Sequence, residues 1–216
     1  MKPTIKRILC GELQENAYLV FLPEREDALI IDPGDDAAAC LKAVRDCGKR
    51  LSHILLTHGH FDHIWGVQAL SGATGAPVAI HEDDADKLQS SRKSLALMIG
   101  RPLPKAQASR LLHDGDTLRC GALSFRVLHT PGHSEGGVCY VLEREGVIFC
   151  GDTLFFEGVG RTDFPGADYG ALGRSVRGKL FALEGDYALY PGHGEATTLA
   201  HERRCNPYFG AAGAAR

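Results

Sequence analysis

The sequence predicts an α/β protein in which several strands end by delivering histidine or aspartate to one edge of a sheet core. Three short apolar runs are each followed by a glycine turn and one such side chain. A fourth run, residues 54–56, leads into a segment with three histidines and an aspartate. The 216 residues, 44% hydrophobic and 24% charged, suffice for one domain, residues 1–216, with a sizeable core.

Turn residues and hydrophobic periodicity divide the chain into these elements. Asp32-Pro33-Gly34 ends an N-terminal meander of three strands, and Gly48 ends the first helix, whose apolar positions recur at helical spacing. Strands are predicted at 4–10, 16–22, 27–32, 52–56, 77–80, 116–119, 122–129, 137–142, 146–150 and 186–190. Helices are predicted at 35–47, 64–71, 168–183 and 197–205.

Two segments carry weaker patterns. Residues 82–112 combine a polar helix at 82–89, an apolar patch at 95–99 and two prolines. This segment is interpreted either as a flap over an active-site mouth or as an ordinary helical connection covering the core, and the sequence favours neither. The Ala/Gly-rich tail, 210–216, is predicted to be disordered.

The segment Thr57-His58-Gly59-His60-Phe61-Asp62-His63 holds four metal-capable side chains within six residues. His58 and His60 are two apart, so they point the same way in an extended chain. Asp62 and His63 follow where the chain can turn into a helix and face the same cavity from another side. Imidazoles with a carboxylate suit zinc, iron or manganese better than magnesium or calcium.

Further candidate ligands follow later strands. They are His133 in Pro131-Gly132-His133, Asp152 in Gly151-Asp152-Thr153, and His193 in Pro191-Gly192-His193. Any one histidine beside a glycine is weak evidence. Together with residues 57–63 they predict one metal centre at the edge of the sheet core.

Charge and hydropathy exclude several classes of partner. The net charge is −3, from 24 basic and 27 acidic residues, and no basic stripe suggests nucleic acid. No apolar stretch approaches the roughly 20 residues needed to cross a bilayer, and no signal peptide precedes the first strand. The sequence therefore predicts a cytoplasmic protein with a small-molecule substrate and no membrane or nucleic-acid partner.

These motifs resemble the metallo-β-lactamase superfamily over nearly the whole chain. Its T-H-x-H-x-D-H motif is matched by residues 57–63, and its later ligands by His133, Asp152 and His193. The resemblance implies a four-layer αββα sandwich of two mixed sheets flanked by helices, with a binuclear site between the sheets. By the same resemblance, one metal would take His58, His60 and His133, the other Asp62, His63 and His193, and Asp152 would bridge them.

Two divalent ions, most simply zinc, with iron or manganese as alternatives, would hold a water as hydroxide and polarise a carbonyl. This chemistry suits hydrolysis of an ester, thioester, lactone or amide. Asp62 is assigned a catalytic role, ligating one metal and orienting the hydroxide. A thiol leaves as thiolate with little acid assistance, which favours a thioester over a lactam.

Residues 151–155 and 158–164 resemble the short, single-domain glyoxalase II-like (hydroxyacylglutathione hydrolase-like) proteins. The resemblance implies a thioester such as S-2-hydroxyacylglutathione as substrate, held near the metals by Arg161. The chain departs from full-length glyoxalase II, because the C-terminal helical domain that anchors glutathione is missing. Arg161 has an alternative interpretation as a structural ion pair with Asp163.

Four other functions remain open on the sequence. A mononuclear-iron persulfide dioxygenase would use His58, His133 and Asp152, the two-His, one-carboxylate triad. The others are hydrolysis of another ester or lactone, a non-catalytic metal-binding module and lactam hydrolysis. The remaining histidines match no ligand position of the family and are predicted to be structural or surface residues. They are His53, His81, His113, His129 and His201, of which His81 could approach the site.

Overall fold

Two six-stranded sheets face each other in the computed structural model, which describes residues 2–211. The first sheet has its strands in chain order: β1 Thr4–Cys10, β2 Glu15–Phe21, β3 Asp27–Ile31, β4 Arg50–Leu55, β5 Val78–His81 and β6 Arg110–Leu112. β1 to β3 are antiparallel, and β3 to β6 run parallel to one another. The sheet is therefore mixed, as predicted.

The remaining strands are β7 Thr117–Cys120, β8 Leu123–His129, β9 Val138–Leu142, β10 Val147–Gly151, β11 Leu154–Phe155, β12 Gly158–Val159, β13 Ala188–Pro191 and β14 Thr197–Thr198. The second sheet has the order β14-β13-β10-β9-β8-β7 and is also mixed, because β10 and β13 are parallel and its other neighbouring strands are antiparallel. The two short strands β11 and β12 pair outside both sheets.

Helices cover the outer face of each sheet. They are α1 Ala37–Asp46, α2 Phe61–Ile64, α3 Val67–Thr74, α4 Tyr169–Ser175 and α5 Leu199–Cys205, with 3₁₀ segments at Glu82–Gln89 and Ala96–Ile99 and a π-helical segment at Val176–Leu180. Among residues 2–211, no helix combines the length and the apolar character required to cross a membrane.

Three separate apolar clusters fill the three interfaces of this sandwich. Alternation along β2 shows the division: Leu19 packs with α1 and α3, while Val20 packs against the second sheet. The third cluster joins the outer face of the second sheet to α4 and α5, through residues such as Ile148 and Leu172. The four-layer αββα architecture implied by the resemblance is confirmed.

The predicted helix at 64–71 is wrong in its bounds, because the structure has two helices, α2 and α3. They are separated at Gly66, whose N–H donates to the Pro33 carbonyl oxygen at 2.9 Å. A Cβ on Gly66 would lie 2.8 Å from the carbonyl oxygens of both Pro33 and Gly34. This tertiary contact breaks the helix, and hydrophobic periodicity carries no record of it.

Other predicted bounds also shift. The helix expected at 168–183 is α-helical only to Ser175 and then widens into the π-helical segment. Within 82–112, β6 pairs with β5 as an edge strand that sequence reasoning missed, and Ala96 and Leu103 are buried on the first sheet. The segment is thus a connection covering the core. Most of the predicted disordered tail, residues 212–216, lies outside the described residues.

Candidate metal centre

The carboxyl end of β4 and the start of α2 present four of the predicted side chains. His60 has extended backbone, and the helix begins immediately after it. The chain therefore directs His58 and His60 from the extended segment, and Asp62 and His63 from the first helical turn. The change from strand to helix within six residues is what allows one segment to approach a centre from two sides.

Three imidazoles form the first trio, His58, His60 and His133. One ring nitrogen from each lies within 4.8 Å of the other two. His60 Nδ1 and His133 Nε2 are 2.9 Å apart, and the rings of His58 and His133 have centroids 4.9 Å apart. His133 comes from the loop after β8, so this trio joins the edges of the two sheets.

Asp62, His63 and His193 form the second trio, again with one ligand atom from each within 4.8 Å of the others. Asp62 Oδ2 lies 3.3 Å from His193 Nε2 and 3.8 Å from His63 Nε2. His193 follows β13, the neighbour of β10 in the second sheet.

Asp152, at the end of β10, lies between the trios. Its Oδ2 is 3.5 Å from His133 Nε2 and 3.6 Å from His193 Nε2, and its Oδ1 is 3.4 Å from His63 Nε2. A Cβ on Gly192 would lie 2.3 Å from Asp152 Oδ1, so the chain can pass this close only with glycine there. All seven predicted side chains converge, divided as the resemblance implied.

Hydrogen bonds turn the Nε2 atoms of several imidazoles towards the centre. His133 Nδ1 donates to the Arg161 carbonyl oxygen at 2.8 Å, and His63 Nδ1 contacts Asp32 Oδ2 at 3.1 Å. Because Nδ1 of each ring faces an oxygen acceptor, its Nε2 faces Asp152. Among the described residues, three buried atoms of the predicted ligands lack a hydrogen-bond partner: His58 Nε2, His63 Nε2 and Asp152 Oδ1. Such atoms fit a metal, because buried polar groups otherwise find partners.

The two trios differ in their electrostatics. Burial, with the neighbouring imidazoles, lowers the pKa of His58 well below its usual value and that of His60 to about 3. Burial also opposes protonation of His63, but the carboxylates of Asp152 and Asp62 together outweigh it and hold the His63 pKa well above its usual value. His58 and His60 are therefore neutral at pH 7, whereas the second trio is a charged cluster.

Asp32 is a functional residue that sequence reasoning missed, because Asp32-Pro33-Gly34 was taken only as a turn. Its backbone has a positive φ of 48°. Its carboxylate accepts hydrogen bonds from the Thr57 N–H at 2.7 Å and the Thr57 hydroxyl at 2.5 Å, besides the contact to His63. An acidic residue directly after an apolar strand was the available signal, the same one that identified Asp152.

Glu15 lies behind the same imidazole. The residue is fully buried, its Oε1 is 3.7 Å from His63 Nδ1, and burial raises the pKa of its carboxyl well above the usual value. Its position in an N-terminal strand gave no sequence signal, because β2 meets the centre only through the fold.

A buried ion pair, Asp84 and Lys87, supports the first trio and was also missed. Lys87 Nζ donates to Asp84 Oδ1 at 2.5 Å and to Ser134 Oγ at 2.8 Å. Asp84 accepts from the backbone N–H groups of Gly59 at 2.7 Å and Gly136 at 2.8 Å. One carboxylate thus ties the loop of His58 and His60 to the loop of His133.

A cavity of about 360 Å³ opens over the centre. Its apolar wall includes Phe61, Phe155 and Phe164, and Arg161 lines it as well. The Arg161 guanidinium makes two hydrogen bonds of 2.7 Å to Asp163 and lies 4.1 Å from the Phe164 ring centroid. The ion pair considered for Arg161 is therefore present, and it leaves the residue at the cavity wall.

Comparisons with known proteins agree with this geometry. Residues 10–193 match the family model of the metallo-beta-lactamase superfamily. A hydroxyacylglutathione hydrolase, GloC, of Haemophilus influenzae is 34% identical over 91% of this chain and 93% of its own length.

Two solved structures share the fold. BLEG-1, a B3 metallo-beta-lactamase, has a TM-score of 0.92 and 36% identity, covering 95% of this chain and 99% of that one. TTHA1623, solved in a di-iron-bound form, has a TM-score of 0.83 and 38% identity, covering 94% of this chain and 99% of that one. From its family match, fold and histidine-aspartate clusters, we conclude that this chain belongs to the metallo-beta-lactamase superfamily.

Proposed function

We propose that the protein is a binuclear metal-dependent hydrolase of thioesters, with an S-2-hydroxyacylglutathione as its preferred substrate class. The observation that carries this proposal is the pair of trios sharing Asp152 at the base of a cavity. The superfamily and its metallo-hydrolase character make hydrolysis the parent activity. The thioester and the glutathione leaving group are the finer steps that need a test.

The first trio would hold one ion and the second trio the other, with Asp152 contacting both. Zinc is our first assignment, and iron is supported by the di-iron form of a chain 38% identical to this one. When bound, such ions lower the pKa of a coordinated water from 15.7 to about 7 and polarise a carbonyl oxygen.

Asp62 is the group we assign to water orientation and proton acceptance. It lines the cavity, unlike the deeper His63. Burial alone would raise the pKa of Asp62, but His63 and His193 together hold it below its usual value. An ionised carboxylate at the cavity wall can accept a proton from an attacking water.

The cavity walls favour an acyl group that is largely apolar beside its reacting carbonyl. Phenylalanine rings line it, and its one lining cation among residues 2–211 is Arg161. A thiol leaving group has an unperturbed pKa of about 8.5, so it departs without an acid catalyst, and the cavity offers no neutral acid next to Asp62. The similarity to GloC, over 93% of that protein's length, supports glutathione as the thiol.

Hydrolysis of a β-lactam is the second candidate, because BLEG-1 shares 36% identity over almost its whole length. The mononuclear-iron alternative requires only His58, His133 and Asp152. The geometry weighs against it, since the ligand atoms of Asp62, His63 and His193 lie within 4.8 Å of one another, as those of the first trio do.

The deciding experiment is hydrolysis of S-D-lactoylglutathione by metal-analysed protein, followed as loss of thioester absorbance. We expect kcat/KM within the usual enzyme range of about 10⁴–10⁸ M⁻¹s⁻¹. Parallel assays with a chromogenic cephalosporin and with glutathione persulfide under oxygen test the β-lactam and persulfide dioxygenase alternatives. Background thioester hydrolysis by protein with two metals bound would overturn the proposal, and an Asp152→Asn variant controls for contaminating thioesterases.

A further inference from the structure

A second group of histidines and carboxylates lies at the same edge of the sandwich, one strand further out. His81 ends β5, the parallel neighbour of β4, which delivers His58 and His60. His129 ends β8, the strand whose following loop carries His133. The two sheets thus bring His81 and His129 together by the arrangement that forms the catalytic centre.

The two imidazoles stack face to face, with ring centroids 3.9 Å apart and planes inclined by 14°. Asp83 Oδ2 lies 3.6 Å from His81 Nδ1 and 3.9 Å from His129 Nε2. One potential ligand atom from each of the three residues lies within 4.8 Å of the others. This cluster shares no residue with either trio.

The spacing of these atoms is that of ligands around an ion. Tetrahedral zinc with bonds of about 2.0–2.2 Å places neighbouring ligand atoms about 3.3–3.6 Å apart. In the catalytic centre, the corresponding carboxylate-imidazole separations run from 3.3 Å for Asp62 and His193 to 3.8 Å for Asp62 and His63. The values around Asp83 overlap this range and exceed its upper end by only 0.1 Å.

The surroundings favour a cation at this position. His81 is 3% exposed, and burial together with the neighbouring His129 lowers its pKa, so its ring is neutral with a lone pair at pH 7. His113 is exposed, with its ring centroid 6.4 Å from that of His81. The Glu82 and Asp116 carboxylates lie 3.4 Å and 3.7 Å from its two ring nitrogens.

We infer that His81, Asp83 and His129 form a third metal site, separate from the catalytic pair, for a divalent transition ion such as zinc. Two imidazoles and a carboxylate are a ligand set suited to zinc, copper or nickel. Binding displaces the long 3.3 Å contact from the Asp83 N–H to His81 Nδ1 and the hydrogen bond from His129 Nε2 to the Glu135 carbonyl oxygen.

The site has a structural role through its connections. An ion there would join the ends of β5 and β8, which belong to opposite sheets. Asp83 belongs to the segment Glu82–Gln89, which also carries Asp84 and Lys87 beneath the first trio. An ion that binds only the folded protein stabilises it in proportion to its occupancy.

Equilibrium dialysis of the tag-free holoenzyme against micromolar zinc, followed by metal analysis, tests the site. We expect Asp83→Asn and His129→Gln each to bind one equivalent of zinc fewer than the wild type. Asp86→Asn is the matched control, an exposed aspartate in the same segment paired with Lys93. His201→Gln is the histidine control, and both controls should keep the wild-type stoichiometry.

A second measurement does not depend on counting ions. Added zinc should raise the unfolding temperature of the holoenzyme and of Asp86→Asn, and this shift should disappear in Asp83→Asn. Thioester turnover should be the same in all of these variants, because none touches the catalytic cavity. Equal zinc stoichiometry in the wild type and in both cluster variants, or an unchanged temperature shift in Asp83→Asn, would overturn the inference.

Discussion

The two trios of the candidate centre differ in what holds them. The first, His58, His60 and His133, is at most 6% exposed and is fixed by backbone groups and by the Asp84–Lys87 pair. In the second, the His193 side chain is 26% exposed and that of Asp62 15%, and buried carboxylates stand around His63. The first side of the centre is enclosed and contains the neutral imidazoles of His58 and His60, and the other side is charged and faces the cavity.

This difference assigns metal retention to the first trio and contact with the substrate to the second. Neutral buried imidazoles bind a cation without first losing a proton, which suits a resident ion. The second trio places Asp62 at the cavity, where a substrate and water would bind.

Asp62→Ala should affect metal binding by the second trio and leave that of the first trio unchanged. Turnover should fall by about 10²–10⁴-fold, because the variant lacks the proton acceptor and one potential ligand. Metal analysis should show that the ion of the first trio stays. A variant with full turnover and both metals would remove Asp62 from the mechanism and would end the division of roles between the trios.

Lys87→Met should destabilise the enclosed side, because it leaves the buried Asp84 carboxylate without its cation. The free energy of unfolding should fall by about 3–5 kcal/mol, measured by denaturant titration. Adding Asp84→Asn should recover part of this loss, since the amide is uncharged but can still accept from Gly59. Lys93→Met, which removes an exposed cation, should have a much smaller effect on the free energy of unfolding. Equal effects of Lys87→Met and Lys93→Met would contradict this role.

Asp32→Asn should weaken metal binding by the second trio, because Asp32 contacts the His63 ring. Removing the carboxylate that orients a ligating imidazole typically costs about 10–100-fold in metal affinity, measured by competition with a chelator. The matched control is Asp35→Asn, which affects only an exposed pair with Arg101. Unchanged affinity in Asp32→Asn would show that the Glu15 side alone fixes His63.

Acid should release the two ions in sequence. The raised pKa values of His63 and His193 mean that protons compete with a metal there at a higher pH than they do at His58 and His60. Burial lowers the pKa of His58 and that of His60, the latter to about 3, so these two imidazoles stay unprotonated to lower pH. Stepwise dialysis with metal analysis should therefore show two separate losses, and turnover should vanish with the first. Simultaneous release would show that Asp152 couples the trios too strongly to be treated separately.

Arg161→Ala should have the smallest effect on the fold. Its pair with Asp163 is exposed, so its loss should leave the denaturation midpoint nearly unchanged. If Arg161 holds the substrate, KM for the thioester should rise while kcat stays constant. Asp163→Ala serves as the control, because it removes the pair and keeps the guanidinium. Equal KM values in the wild type and Arg161→Ala would leave only the structural role.

The sequence predicted most of the strands, and the six side chains of the trios and Asp152 converge at one sheet edge in the structure. This was possible because the ligands from residues 57–63 and those after β8, β10 and β13 each follow a strand within a few residues. The direction of these side chains follows from local chain geometry. Side chains alternate with a period of two in strands, and the helix that begins at Phe61 changes the direction of those that follow.

Only the tertiary structure decided what surrounds these side chains. Glu15, Asp32 and Asp84 lie far from one another in the chain, yet each carboxylate lies against the loops of the trios, and none belongs to a local pattern. The helix break at Gly66 and the pairing of His81 with His129 have the same origin. These features depend on which strands become neighbours and on how the two sheets face each other. Sequence periodicity records the direction of a side chain, but burial and the partners across the sandwich fix its charge and its role.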